Sequence, residues 1–543
     1  MKIRRIGIGA VALAAASALM LAGCSAGGDT PSTSAAGNSS AIITANGSEP
    51  QNPLVPTNTN EVGGGKILDE IFAGLVYYDA KGAPVNDVAE SIETTDAQNY
   101  TIKIRSGLKF TNGDPVDANS FVDAWQYGAL FSNAQLSASF FSSIQGFSDS
   151  QDSPLTGLTV VDDTTFTVAL SSPQSDFPLR LGYSAFYPLP KAAFADMAAF
   201  GENPIGNGPY KLASEGAWKH NEKIDLVVNP DYDGPRVPKN GGLTIVFYAT
   251  QDAAYSDLQG GNLDVLDAVP DSAYQTFESD LGDRAVNQPA AIFQSFTIPA
   301  RLPHFSGEEG QLRRQAISMA INREEITKVI FEGTRTPASD FTSPVIDGWS
   351  DKLDGADTLA YNPDEAKKLW AEADKISPWS GTFQIAYNSD GGHQGWVDAV
   401  SNGLKNTLGI DASGAPYPTF AQSRTAIVDR SIQTAFRSGW QADYPGLYNF
   451  LAPLYSTAAG NGAGSNDGDY SNPEFDALLE KGISETDVDT ANKDFQSAQE
   501  ILLKDLPAIP LWYSNVTGGY GADVSNVTFG WNSVPLFYEI TKG

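Results

Sequence analysis

Between Ser438 and Tyr455 the chain reads S-G-W-Q-A-D-Y-P-G-L-Y-N-F-L-A-P-L-Y. A single ionisable residue that carries a full charge, Asp443, stands there among Trp440, Tyr444, Tyr448, Phe450 and Tyr455. A carboxylate walled by aromatic rings is held in low dielectric and needs a cation as partner. Arg437 precedes Trp440 by three residues, so a cation, an aromatic wall and an anion lie close together along the chain. That combination suits a ligand with a positive end and a negative one. Pro445 and Gly446 follow at once, which places the carboxylate where a strand gives way to a turn. Taken alone, the same residues also fit a core strand whose acid caps a turn, because aromatic clusters more often mark core than site.

No enzyme chemistry competes with this stretch. The histidines are His220, His304 and His393, far apart and without a second ligand at helical spacing, so no metal site is expected. There is no G-x-S-x-G and no H-E-x-x-H. Asp162-Asp163 and Glu308-Glu309 sit in polar turn sequence and read as solvated; carboxylates facing across a cleft, as glycosidases use, have no local signature. Gly460 to Gly468, with Asp467 and Asp469 nearby, lacks the spacing and closing Glu of a calcium loop. Asn203 to Tyr210 (N-P-I-G-N-G-P-Y) loses an amide donor at Pro209 and has no Lys-Ser/Thr pair, which excludes a phosphate loop. No catalytic residue and no cofactor are expected.

The elements that must position Asp443 are legible from periodicity and caps. Ala41–Ala45 is a short apolar strand, followed by a loop with Glu49 and Pro50 at its tip. Residues 66–75 have helical spacing, and 100–105 alternate as a half-buried strand. Asp117 caps a helix carrying Phe121, Val122 and Trp125, and 158–170 form a hairpin. Strands at 224–228 and 243–248 alternate with a helix at 252–258, an α/β pattern with a mixed sheet. Residues 293–298 open a new domain, with helices at 311–321 and from Asn322, Asn362 and Asn472 as caps. Strands at 382–387, 434–440, 506–513 and 524–537 complete the reading, with a helix at 397–408.

The ends and the composition bound the class. Lys2, Arg4 and Arg5 precede an apolar run from Ile6 to Leu21, closed by L-A-G-C at 21–24. A basic start, a short apolar core and small residues describe a secretory signal over residues 1–23. Cys24 is the only cysteine of the chain, where an exported protein would use cysteines in pairs; an anchor explains a lone one better. Residues 24–40 form a Ser/Ala/Gly-rich tether that reaches on the order of 20 Å. The remaining 500 or so residues are too many for one core. Asp and Glu number 65 against 34 Lys and Arg, a balance that argues against nucleic acid as a partner.

In order along the chain, 108–116 (L-K-F-T-N-G-D-P-V), 204–210 (P-I-G-N-G-P-Y), 229–232 (N-P-D-Y), 261–264 (G-N-L-D), 312–316 (L-R-R-Q-A), 320–324 (A-I-N-R-E), 361–369 (Y-N-P-D-E-A-K-K-L) and 440–444 (W-Q-A-D-Y) resemble a known series. The chain looks like a solute-binding lipoprotein of the peptide/nickel class (family 5) that serves ABC importers, nearest to the oligopeptide-binding members. The resemblance covers nearly the whole chain after Ile42. It implies an α/β, two-lobed periplasmic-binding-protein-like fold of type II with an extra domain, mixed sheets flanked by helices and a two-segment hinge. The first lobe would take 41–78, 185–288 and 514–543, an insert 79–184, and the second lobe 289–513.

The resemblance also implies that Asp443 holds a ligand's α-ammonium, that Arg437 meets its carboxyl end with Arg430 as a further candidate, and that Trp440 and Tyr444 form walls. Gly439 and Glu49 complete the expected ligand contacts. It further implies lipidation of Cys24 after cleavage before it, a monomer anchored to the outer face of the cytoplasmic membrane, and an ABC permease and ATPase complex as partner. Many relatives read acid-Tyr-x-Asp-Pro where this chain has D-Y-P-G-L at 443–447, so a second acid is missing beside the anchor. Sugar- and metal-chelate-binding relatives define the alternative ligands; scattered histidines argue against nickel.

Overall fold

The computed structural model describes residues 40–59, 61–389, 392–418, 420–462 and 464–543. Cys24, the expected signal peptide and nearly all of the tether lie outside them.

The folded body is organised on one mixed sheet. Its path runs 412–417, 383–388, 435–441, 285–297, 508–520, 265–266, 42–47, 242–247, 223–228, 210–212. The expected strand at residue 41 is Ile42–Gly47, paired in parallel with Gly242–Phe247. Ile43 and Ala45 alternate into the core from it, as a strand with one face buried requires. A separate four-stranded antiparallel sheet, ordered 89–94, 99–104, 165–169, 158–162, carries the helix Ala118–Ala129. Asp117 caps that helix through the amide of Ser120 at 2.9 Å, and the Ser120 hydroxyl accepts from the Asp117 amide in return.

Two strands of 13 residues each, Ala285–Thr297 and Ala508–Tyr520, run antiparallel through the middle of the large sheet. The two larger hydrophobic cores lie on either side of their midpoint. One joins Ile43, Ile67, Phe72, Tyr100, Trp125 and Ile245 to Val516 and Ile540. The other joins Phe293, Phe296, Ile317, Trp370, Ile385 and Phe450 to Trp512. Between Pro289 and Phe293 the register slips, leaving extra residues on one strand opposite Ser514. Such a bulge bends and twists a strand, and here it lies where both strands pass side by side from one core to the other.

Two sequence expectations change. The strands expected at 293–298 and 506–513 are the second core's halves of these longer strands. The first core's halves carry Asn287, Gln288, Asn515 and Thr517, which break the apolar run, but cross-strand pairing extends them regardless. The strand expected over 524–537 is limited to Val524–Ser525. A turn at 530–534, closed by Gly530 N to Val534 O at 2.8 Å with Ser533 at φ +70°, interrupts it and turns Trp531 toward the bulge. Asn322, Asn362 and Asn472 cap their helices as expected.

Candidate functional site

Ala435–Gln441 pairs with Ala285–Thr297 in the second core's half of the sheet, Trp440 opposite Phe293 and Gly439 opposite Gln294. Gly439 is required by that approach, because a Cβ there would stand 2.7 Å from the Phe293 carbonyl oxygen. The strand ends at Gln441. Ala442 hangs from the bulge, its amide donating to the Ala291 carbonyl at 3.0 Å, while the Ala291 amide donates to the Trp531 carbonyl at 3.1 Å. Asp443 therefore follows immediately on the point where the two cores meet. A helix, Leu447–Tyr455, begins after Gly446.

Asn449, in the first turn of that helix, clamps the site. Its Oδ1 accepts from Trp440 Nε1 at 3.0 Å and from the Asp443 amide at 2.9 Å, and its Nδ2 donates to Asp443 Oδ2 at 2.9 Å. The carboxylate is thus oriented by a neutral amide and has no cation within salt-bridge reach among the described residues. It is exposed to the cleft yet flanked by protein, and this desolvation raises its pKa above the usual carboxylate value, with the Asn449 bond pulling the other way. The sequence carries a faint signal for Asn449, a lone amide in an otherwise apolar helix start. Asn449→Leu leaves two donors without their acceptor and is expected to cost about 1–3 kcal/mol, read as a lower urea midpoint; an unchanged midpoint would show the clamp to be idle.

Arg437 stands three residues before Trp440 in the same strand. Burial and the Arg424 guanidinium lower its pKa, its Nη2 donates to Gln294 Oε1 at 3.3 Å, and its buried Nε has no hydrogen-bond partner. No carboxylate pairs with it among the described residues. Arg437, Gly439 and Trp440 line both a cavity of about 310 Å³ inside the second core's half and a cleft of about 1030 Å³ in front of it. Asp443 lines that cleft and also a cavity of about 520 Å³ on the first core's side. With Gln441, it marks the place where those two spaces meet.

Four expected contacts are accordingly gathered at the cleft: Asp443, Trp440, Arg437 and Gly439. Three are placed elsewhere. Tyr444 is buried with its hydroxyl on Asp176 and Arg180 5.3 Å over its ring, so it ties the turn to the 173–180 segment. Arg430 sits at φ +55° and is taken by Asp469, at 2.7 and 3.0 Å. Glu49 accepts from the Asn221 amide at 2.8 Å and meets His220 Nδ1 at 2.7 Å. In each case a nearer partner satisfies the polar group before the cleft can.

The first core's wall is absent from any local reading of the sequence. The helix Val62–Ile71, capped by Glu61, presents Lys66, Asp69 and Glu70. Lys66 is bound to Asp267 and to the Asn46 carbonyl. Arg236 pairs with Asp87 at 3.0 Å and donates to the carbonyls of Asp69 and Phe72. Asp69 accepts from the Tyr187 hydroxyl at 2.8 Å, but burial outweighs that bond and Arg236 and raises its pKa. Burial pushes Glu70 to about 8. Burial also pushes the Tyr183 phenol up to about 12, with Asp443, Asp69 and Glu61 adding to the rise. Tyr78 and Trp531, in edge contact at 5.5 Å, close the wall. Among the described residues no group of three or more His, Cys, Asp or Glu side chains is placed to hold a metal ion.

The chain is 27% identical over 522 residues to the periplasmic oligopeptide-binding protein OppA of Escherichia coli, covering 93% of this chain and 92% of that one. It is 27% identical over 469 residues to the dipeptide-binding protein DppE of Bacillus subtilis, 82% of each chain. An unliganded open form of the periplasmic murein tripeptide-binding protein MppA superposes with a TM-score of 0.83 at 23% identity, covering 94% of this chain and 99% of that one. Residues 83–462 match the model of the bacterial extracellular solute-binding proteins, family 5, middle region. With two cores sharing one pair of crossing strands and a cleft at the crossing, the chain has the two-lobed α/β fold of these proteins and belongs to the family 5 bacterial extracellular solute-binding proteins.

Proposed function

We propose that this protein is an extracytoplasmic receptor that captures oligopeptides around Asp443 and delivers them to an ABC import complex of permease and ATPase. It performs no chemistry on them. The observation that carries the reading is the pair of unmatched charges on one strand end: Asp443, held by a neutral Asn449, and Arg437, without a carboxylate. A peptide's ammonium and carboxylate would complement both. A ligand main chain held strand-like in the cleft would gain affinity without side-chain choice. The names of the relatives, oligopeptide- and dipeptide-binding proteins, support the same class.

Lobe closure about the Pro289–Phe293 bulge would trap the ligand, a hinge transition in which the two long strands bend. The monomer would be held at the outer face of the cytoplasmic membrane through lipid on Cys24, a reading supported by the L-A-G-C at 21–24. No helix among the described residues is long and apolar enough to cross a membrane.

Native mass spectrometry on the full-length protein, purified without unfolding, tests the ligand class. The expected result is a spread of bound masses that fragment as short peptides. A single non-peptide mass, released without amino-acid fragments, would overturn the reading and turn attention to sugars stacked on Trp531 and Tyr78.

A further inference from the structure

We propose that the cavity on the first lobe's side of Asp443 is a subsite for a cationic side chain of the bound peptide, of lysine or arginine type, with Glu70 as the carboxyl that receives it. This rests on the oligopeptide reading above and adds a side-chain preference to it.

The cavity holds about 520 Å³ and is lined by five carboxyl side chains, Glu61, Asp69, Glu70, Asp79 and Asp443, against two cations. Both cations are already committed. Lys66 is neutralised by Asp267, and Arg236 by Asp87. Four of the acids are also engaged. Glu61 accepts the Gly64 amide as a helix cap, Asp79 accepts the amides of Lys81 and Ala83, Asp69 accepts the Tyr187 hydroxyl, and Asp443 faces Asn449. Glu70 is the exception. It is only 5% exposed, it lines the cavity, and its Oε2 has no hydrogen-bond partner.

A carboxyl in that position is costly to ionise and gains most from a cation brought to it. Burial holds it up at about 8, so it is mostly protonated at neutral pH and would give up its proton when an ammonium or guanidinium arrives. The walls fit an organic cation. Tyr77, Tyr78, Trp531 and Tyr538 line the same space, and Arg236 already lies 5.6 Å over the Tyr77 ring. Aromatic faces attract alkylammonium and guanidinium groups. An acidic side chain would find no unpaired cation there, since Lys66 and Arg236 already hold Asp267 and Asp87.

The test is calorimetric titration of the full-length protein with tetra-alanine and with tetra-alanine carrying one Lys, or one Met, at each position in turn. At one position Lys is expected to bind about ten- to a hundred-fold more tightly than Met, the range of one charge-assisted hydrogen bond. Glu70→Gln should bring that ratio close to unity while leaving tetra-alanine affinity in place. An equal Lys and Met affinity at every position in the wild type, or an undiminished ratio in Glu70→Gln, would overturn the subsite. A wild-type protein that ignores tetra-alanine altogether would instead sink the peptide reading.

A second readout needs no variant. Titrations at pH 7 in phosphate and in Tris give the protons released, and Lys minus Met peptide should differ by about one proton from a carboxyl held at about 8. Taking the difference cancels any proton exchange at the common amino terminus. If Glu70→Gln failed to fold, Glu70→Asp, which withdraws the carboxyl by one methylene, should cut the Lys-to-Met ratio, and an undiminished ratio there would overturn the proposal.

Discussion

Asp443→Asn is expected to weaken oligopeptide binding by roughly thirty-fold to several thousand-fold, corresponding to about 2–5 kcal/mol for removing one partner of a desolvated ion pair. The fold should survive. The substituted amide would keep a contact with Asn449 and shed the desolvation that now disfavours the charge, so the unfolding midpoint should hold or rise slightly. The separation of these two readouts matters, because a variant that lost affinity by losing structure would say nothing of an anchor.

The pH dependence supplies an internal check. The ammonium partner requires the anion, and burial raises the carboxyl's pKa. Affinity should therefore begin to fall on acidification at a higher pH than an ordinary aspartate would dictate, and Asp443→Asn should abolish that dependence. A variant with wild-type affinity for tetra-alanine would remove Asp443 from the binding machinery. The missing second acid after Tyr444 makes this stronger, since no neighbouring carboxylate in the turn stands ready to substitute.

Arg236→Met is expected to destabilise the protein by about 3–5 kcal/mol. Asp87 is fully buried and would lose its closest cation; Arg105 stands at 3.9 Å and the Tyr232 hydroxyl at 2.9–3.0 Å. The carbonyls of Asp69 and Phe72 would lose their donors as well, loosening the end of the helix that lines the cleft. Urea unfolding followed by tryptophan fluorescence measures the loss. Pairing Arg236→Met with Asp87→Leu should recover more than half of it, because removing both ions also removes the unpaired buried charge. A single variant as stable as the wild type would mean that the pair contributes nothing.

Local structure was largely readable before any tertiary contact was known. Asn322, Asn362, Asn472 and Asp117 cap helices because a short polar side chain reaches an amide two or three residues on. Trp440, Gly439 and Arg437 come together with Asp443 because one strand and the turn after it carry all four. The errors arise where a local pattern competes with a distant partner. The apolar alternation of 524–537 looks like a strand, yet the turn at Gly530–Ser533 and the contact of Trp531 with Tyr78 bend it away. Glu309 looks solvated in its turn, yet it takes both Arg313 and His304.

The sequence by itself determined the family, the α/β class, and a carboxylate–tryptophan–arginine constellation confined to one strand end, since those depend on side-chain type and on spacings of a few residues. Tertiary structure alone decided which charges stay available to a ligand. Arg430 is claimed by Asp469, Glu49 by His220 and Tyr444 by Asp176, partners up to hundreds of residues away that no periodicity reveals. It likewise decided that Glu70, on a helix far from Asp443 in the chain, faces the same cavity with one carboxyl oxygen unbonded. The reason is physical. A charge pairs with whatever opposite group or donor is closest in space, and in a fold whose two central strands join residues 285–297 to 508–520, nearness in space is set by chain crossings and not by position in sequence.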